Sequence, residues 1–228
     1  MSSIVFDTGP IISLATNNLL WLLENLKERY RGDFVIPKDV QRELIEVPLE
    51  IKRFKLEALQ VNREINKGNL TVVEDPRIQI LEQELLSLAN NCFKAKGFPV
   101  KIVQKGEMAA VAAAIVLNAD AIVIDERTTR ELIEDPERII QLMSDKLKTR
   151  IEADKNCLAK IKSMIGNLKV IRSIELAMVG YDLGWFDKYL TDNKDARKDL
   201  KEAILWGIKI RGASISQEEI DKIVRMEK

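Results

Sequence analysis

Ala119-Asp120-Ala121-Ile122-Val123-Ile124-Asp125 is the stretch on which the fold of this chain turns. Residues 121–124 form a short, unbroken apolar run with aspartates at both margins, which reads as a strand buried on both faces. Just upstream, Glu107 to Asn118 is rich in alanine and apolar almost all round, as a helix packed inside a fold should be. A buried helix feeding a buried strand is half of a βαβ unit, so a parallel sheet is expected.

The same rhythm extends outward in both directions. Ile4-Val5-Phe6 is a short apolar run stopped by the turn cluster Asp7-Thr8-Gly9-Pro10, and a helix-period stretch follows from Ile11 to about Tyr30. Phe34-Val35-Ile36 is a second strand; Pro37 and Asp39 then open a helix with Val40, Leu44 and Ile45 on its apolar side. A charged amphipathic helix is predicted over Glu50 to Lys67, a third strand over Leu70 to Val73, and a long helix from Pro76 to about Lys96. Beyond Asp125, Thr128 to Met164 reads as two helices, the second lysine-rich. Leu168 to Ile171 offers a last edge strand, and the chain is helical again after Ser173. The predicted class is α/β: three α/β/α layers on a short parallel sheet joined by right-handed crossovers, with extra helices in an insertion and at the C-terminus. The expected organisation is one domain over residues 1–175, an insertion at about 128–166 within it, and a helical extension over 176–228 packed on the same domain.

Composition narrows the chemistry. Lys plus Arg and Asp plus Glu number 36 each, so no global field draws the chain onto nucleic acid or membrane, and any such contact must be local. The chain has 0 histidines, which removes the usual general base and the commonest transition-metal ligand and leaves carboxylates, lysine or hard metal ions. Cys92 and Cys157 lack the close spacing of zinc or redox motifs and are expected to be buried, reduced thiols. Met1 to Phe6 shows no signal-peptide pattern, and no run reaches the roughly 18 apolar residues of a membrane span. The expected location is the cytoplasm.

Asp7 and Asp125 each follow a short strand directly, so in a parallel sheet both emerge at the carboxyl edge where such sheets bind ligands. Glu107 starts the helix preceding the Asp125 strand, and Glu43 lies on the helix after the second strand. Should these lean over the same edge, like charges would converge, an arrangement stable only around a cation, and all-oxygen ligation favours Mg2+ or Mn2+ over zinc. Each residue has a plainer reading beside this one. Asp7 suits a turn, Asp125 the cap of a helix beginning near Arg127, and Glu107 the first turn of a helix dipole; Glu46 shares nearly the same helical face as Glu43, so the choice between them stays open.

Together these residues resemble the PIN-domain ribonucleases. The pieces that carry the resemblance are Val5-Phe6-Asp7-Thr8-Gly9-Pro10 with Ile12 and Leu14; Ile36-Pro37 with Val40 and Glu43; Gly106-Glu107 with Ala112 and Ala113; and Ala119 to Asp125. It covers about residues 1–135 and resumes near Val170. The resemblance implies a Mg2+- or Mn2+-dependent endonuclease acting on RNA, with Asp7, Glu43, Glu107 and Asp125 at the catalytic and metal-binding positions. Thr8 falls where the family places a small hydroxyl residue, and Glu126 is a further outer-sphere acid. A homodimer is the assembly expected from family habit. The insertion and tail depart from the compact toxin members and favour a stand-alone or processing nuclease, and the segment from Ala203 through Ser216 to Ile220 resembles the helical tail of larger relatives.

Arg127 and Arg130, just past Asp125, are candidate phosphate contacts. The basic residues from Lys146 to Lys169 are interleaved with acids and read as a solvated face, and Tyr181, Trp185, Phe186 and Tyr189 as a packing cluster. A catalytically inactive PIN-like module that binds RNA or protein is the alternative function. A Mg2+ phosphohydrolase using Asp7 as nucleophile would want a second aspartate where Gly9 stands. With no glycine-rich phosphate loop after the first strand, no nucleotide cofactor is expected.

Overall fold

The structure, a computed structural model, describes residues 2–226; Met1, Glu227 and Lys228, which close the predicted domain ranges, lie outside the described residues. β1 (Ser3–Phe6) is buried along its whole length and forms the middle of a five-stranded sheet with β2 (Asp33–Pro37), β3 (Thr71–Val73), β6 (Ala121–Val123) and β8 (Val170–Ile171). The order is β3-β2-β1-β6-β8 and every pairing is parallel. Phe6 is in register with Val123, and the Asp7 amide donates to the Val123 carbonyl at 3.0 Å. The residues following β1 and β6 therefore leave the sheet side by side.

The helices flank this sheet. α7 (Lys105–Val116) lies across β1, β2 and β6 and is backed by α6 (Pro76–Cys92), with Met108 through Ala114 buried. Its run of alanines lets the two helices and the sheet approach closely. α1 (Thr8–Thr16) packs with α5 (Lys55–Asn66) and with α11 (Ser173–Asp182). The α/β/α architecture expected from the alternating pattern is the one observed.

Several boundaries differ from expectation, each for a local reason. The predicted helix from Ile11 to Tyr30 is two, α1 and α2 (Trp21–Tyr30), because Asn18 takes a left-handed conformation at φ 56°. The predicted Glu50–Lys67 helix starts only at Lys55: Val47–Glu50 forms α4, the end of a run begun by α3 (Lys38–Gln41) and a π-helical turn (Arg42–Glu46). α6 stops at Cys92 rather than near Lys96, and Phe93–Ala95 becomes β4, paired with β5 (Phe98–Pro99). Lys96 and Gly97 join them with φ of 51° and 83°, the two positive values a tight hairpin turn demands. β7 (Ile151–Ala153) completes this antiparallel sheet, so the insertion holds α8 (Arg127–Glu134), α9 (Arg138–Leu147), β7 and α10 (Lys155–Ile165) rather than two helices.

That small sheet brings the distant cysteines together. Cys157 donates its thiol to the carbonyl of Leu88, one turn before Cys92 on α6; Cys92 donates its own to the carbonyl of Asp154. Burial, with Cys157 beside it, pushes the Cys92 thiol up to about 12, so it stays protonated at neutral pH.

The C-terminal helices share the main core. α11 packs on α1 and α2, α12 (Ala196–Ile210) on α11, and α13 (Gln217–Arg225) on α12, with Leu205 and Ile208 wholly buried. Phe186 is buried edge-on against Trp21, with ring centroids 5.2 Å apart, and the Lys188 ammonium sits over the same indole. Among the described residues, no helix is long and apolar enough to cross a membrane. Leu205→Ala is expected to cost about 2–5 kcal/mol and to lower the midpoint of one cooperative unfolding transition, measured by calorimetry. A separate low-temperature transition in the variant would show that the tail folds independently.

Candidate active site

A cavity of about 240 Å³ opens where β1 and β6 end, and Asp7, Glu43, Glu107 and Asp125 all line it, together with Glu126. Four separate segments deliver these side chains to one place.

Asp7 caps α1, accepting the Gly9 amide at 3.3 Å, so its turn role and its place in the cavity coexist. It is 5% exposed. Burial, with Glu107 and Glu43 repelling it more weakly, raises its pKa to about 7 against the pull of the Thr8 and Gly9 amides. Gly9 lies beside both aspartates: a Cβ there would stand in ordinary contact, 3.6 Å from Asp7 Oδ2 and 3.8 Å from Asp125 Cβ.

Asp125 is held from three donors: the Ser173 amide at 2.8 Å, the Ser173 hydroxyl at 2.7 Å and the Ser13 hydroxyl at 3.1 Å. Burial raises its pKa, while the Ser173 and Ser13 bonds and the Arg130 charge oppose the rise. It does not cap the helix that begins at Arg127. Glu126 does, accepting the Thr129 amide at 2.6 Å.

Glu43 sits on the π-helical turn, where Val47 bonds back to the Arg42 carbonyl. Pro48 follows immediately and has no N–H to return to the Leu44 carbonyl, which accounts for the widened turn. The Glu43 carboxylate accepts the Thr8 hydroxyl at 2.7 Å and lies against the backbone of Gly106, where a Cβ would fall 2.4 Å from Oε1. Any larger residue at 106 would push Glu43 away. Glu46, exposed like Glu43, meets Arg42 at 4.0 Å and does not line the cavity.

Glu107 closes a capping box, accepting the Gln104 amide at 2.9 Å, and also accepts the Thr129 hydroxyl at 3.0 Å. Burial first, then Glu126 and Glu43, raise its pKa. Lys105, one residue into α7, pairs with Asp39 on α3 at 2.8 Å and ties the elements bearing Glu107 and Glu43.

Ser13, Ser173, Thr129 and Gln104 escaped the sequence reading. Only Ser173 carried a signal, as the first polar side chain after an edge strand and its arginine. Gly212, between α12 and α13, also lines the cavity and brings the tail to its rim. Arg127 and Arg130 line a separate, larger cavity. As placed, no three acidic, thiol or imidazole side chains among the described residues stand close enough to hold a metal ion, and the Glu43 and Glu107 carboxylates are engaged by the Thr8 and Thr129 hydroxyls.

The PIN-domain family profile matches residues 3–137, more than half of the chain, and the chain belongs to that family. Its members are typically nucleases that use divalent metals such as Mg2+. Among solved structures, the crystal structure of VapBC2 from Rickettsia felis bound to a DNA fragment from their promoter is similar at 15% identity and TM-score 0.40, covering 75% of this chain and 98% of that one. No curated protein matches.

A raised folded-state pKa at a carboxyl makes the folded state hold its proton where the unfolded chain has released it. Stability is therefore fullest below about pH 4 and falls as pH climbs towards 7. Asp7→Asn keeps a good cap and removes the charge. It is expected to be more stable than the parent at pH 8, by up to about 4 kcal/mol, and to converge with it near pH 4 in thermal melts. A difference independent of pH would contradict the burial account.

Proposed function

We propose that this chain is a Mg2+- or Mn2+-dependent endoribonuclease that hydrolyses RNA phosphodiesters at the cavity lined by Asp7, Glu43, Glu107 and Asp125. The observation that carries the reading is the gathering of carboxylates from four segments into one small, partly buried space, where Asp7 is pushed to about 7. The donor set fits a hard divalent cation: it is all oxygen, acidic and mutually repelling. A bound ion would supply positive charge against the phosphodiester and acidify water for in-line attack.

The chain's own side chains prepare that space. Ser13 and Ser173 fix both oxygens of Asp125 towards the sheet edge, and Thr8 and Thr129 hold Glu43 and Glu107 until a cation competes for them. Gly106 lets the backbone come close to the Glu43 carboxylate. Glu126 stands behind as an outer acid, its carboxylate restrained by the hydrogen bond it accepts from the Thr129 amide.

The reading extends to one cooperative unit in which residues 176–228 pack on the domain of residues 1–175, and to action in the cytoplasm as a homodimer. Exposed Leu49, Ile51, Leu56 and Leu59 around α4 and α5 offer such a dimer an apolar surface. The balance of 36 basic and 36 acidic residues supports a second reading, a PIN-like module that binds RNA or protein without cutting.

The two readings part in one assay. Labelled single-stranded RNA incubated with Mn2+ or Mg2+ should be cut by the parent protein, with EDTA abolishing cleavage. Asp7→Asn and Glu107→Gln should each lose on the order of 10²-fold or more in rate, as when a stabilising group at a reacting phosphate or carbonyl is removed. Equal cleavage by parent and Asp7→Asn removes Asp7 from the chemistry, and no metal-dependent cleavage by the parent leaves the binding module.

A further inference from the structure

We infer that the larger cavity beside the acidic centre is a nucleotide subsite, taking one unpaired base and its phosphate from the RNA flanking the cleaved bond; this rests on the ribonuclease reading. The cavity measures about 700 Å³ and lies among α8, the edge strand β8, α11 and the tail segment Ser214–Ser216 leading into α13. That volume is within the roughly 300–1,000 Å³ typical of small-molecule sites, large enough for a nucleotide and too small for a duplex.

Its wall carries the three features a nucleotide needs. Val170, Leu176 and Val179 supply an apolar surface, and Val179 remains 41% exposed, which suits the face of a base. Arg130 Nε is buried without a hydrogen-bond partner, and the same guanidinium reaches the Ser214 carbonyl only at 3.4 Å. Glu131 Oε2 is likewise buried with no hydrogen bond; Arg138 approaches it no closer than 3.8 Å, and Arg127 is 3.8 Å from the other oxygen. Arg130 and Glu131 both line the cavity, with Arg127 and Arg138 beside them, so a ligand carrying an anionic group and an amine meets a charged side chain for each. A phosphate answers Arg130, with Arg127 and Arg138 near, and an exocyclic amine of a base answers Glu131.

Arg172 plays a different part. Its guanidinium is taken up by Glu175 and by Glu219 of α13, so it braces the tail against the body and shapes the wall. Continuity with the reaction centre comes from the chain itself: Glu126 lines the acidic cavity and Arg127, the next residue, lines this one. A strand leaving the carboxylates over the start of α8 passes directly to it. Because glutamates match the arginines around the cavity, the subsite suits one phosphate rather than a long polyanion, and recognition rests on an unpaired base.

The experiment uses a fluorescein-labelled single-stranded RNA octamer with 2′-O-methyl sugars, its binding to the full-length protein followed by anisotropy in EDTA. Val179→Glu, at a half-exposed position that does not support the core, and Arg130→Gln should each weaken binding about tenfold or more. Arg130→Gln should also flatten the salt dependence by roughly one ion. A blunt duplex of the same sequence should bind at least about tenfold more weakly than the single strand. No binding by the parent, equal binding of duplex, or affinities within twofold of the parent in both variants would overturn the subsite. Metal-dependent cleavage of unmodified RNA by the parent is read separately. Cleavage with unaltered octamer affinity in the variants sinks the subsite alone, whereas lost affinity in the variants without cleavage by the parent sinks the ribonuclease reading alone.

Discussion

A buried carboxylate with no basic partner is the constraint around which this site is organised. The groups acting most strongly on Asp7 are the amides of Thr8 and Gly9 and the carboxylates of Glu107 and Glu43, and no lysine or arginine is among them. Folding nevertheless places it at the end of the central strand, buried, beside a second strand-end aspartate. Such a placement works against stability unless a proton or a cation neutralises it. Much of the surrounding structure follows: a glycine at 106 where the Glu43 carboxylate must fit, hydroxyl groups aimed at three of the acids, and an ion pair between Lys105 and Asp39 that sets α7 against α3.

The helices added to this centre have structural work of their own. The insertion supplies β7, which completes the small antiparallel sheet beside α6, and brings Cys157 to the turn ending at Cys92. The tail returns to the carboxyl edge of the sheet, with Gly212 at the acidic cavity and Glu219 bound to Arg172 beyond β8. Both cavities therefore have walls made by residues far from the family match at 3–137. The match to a PIN domain covers the four acids and α8 but not the β8, α11 and tail residues that complete the second cavity.

The parts of this molecule written in local pattern were legible in the chain. Strands β1, β2 and β6 are short apolar runs closed by Asp7, Pro37 and Asp125, and α7 is apolar on every side; burial on both faces leaves no other composition for them. Asp7 and Asp125 could be placed on one edge because adjacent parallel strands point the same way. What depended on local backbone geometry was not visible: the break at Asn18, the Lys96-Gly97 hairpin that converts a predicted helix end into β4, and the π turn that brings Glu43 rather than Glu46 to the cavity. Arg127 and Arg130 follow Asp125 closely in sequence, and α8 carries them to the second cavity.

By itself, then, the sequence determined an alternating α/β chain with carboxylates at the ends of its strands, since periodicity and strand polarity are properties of neighbours along the backbone. Only tertiary structure decided which glutamate joins them, which hydroxyls hold them, and that the tail forms part of the wall. Those outcomes depend on distances between residues remote in the chain, such as Thr8 with Glu43, Asp125 with Ser173 and Arg172 with Glu219, and such distances exist only once the core has closed.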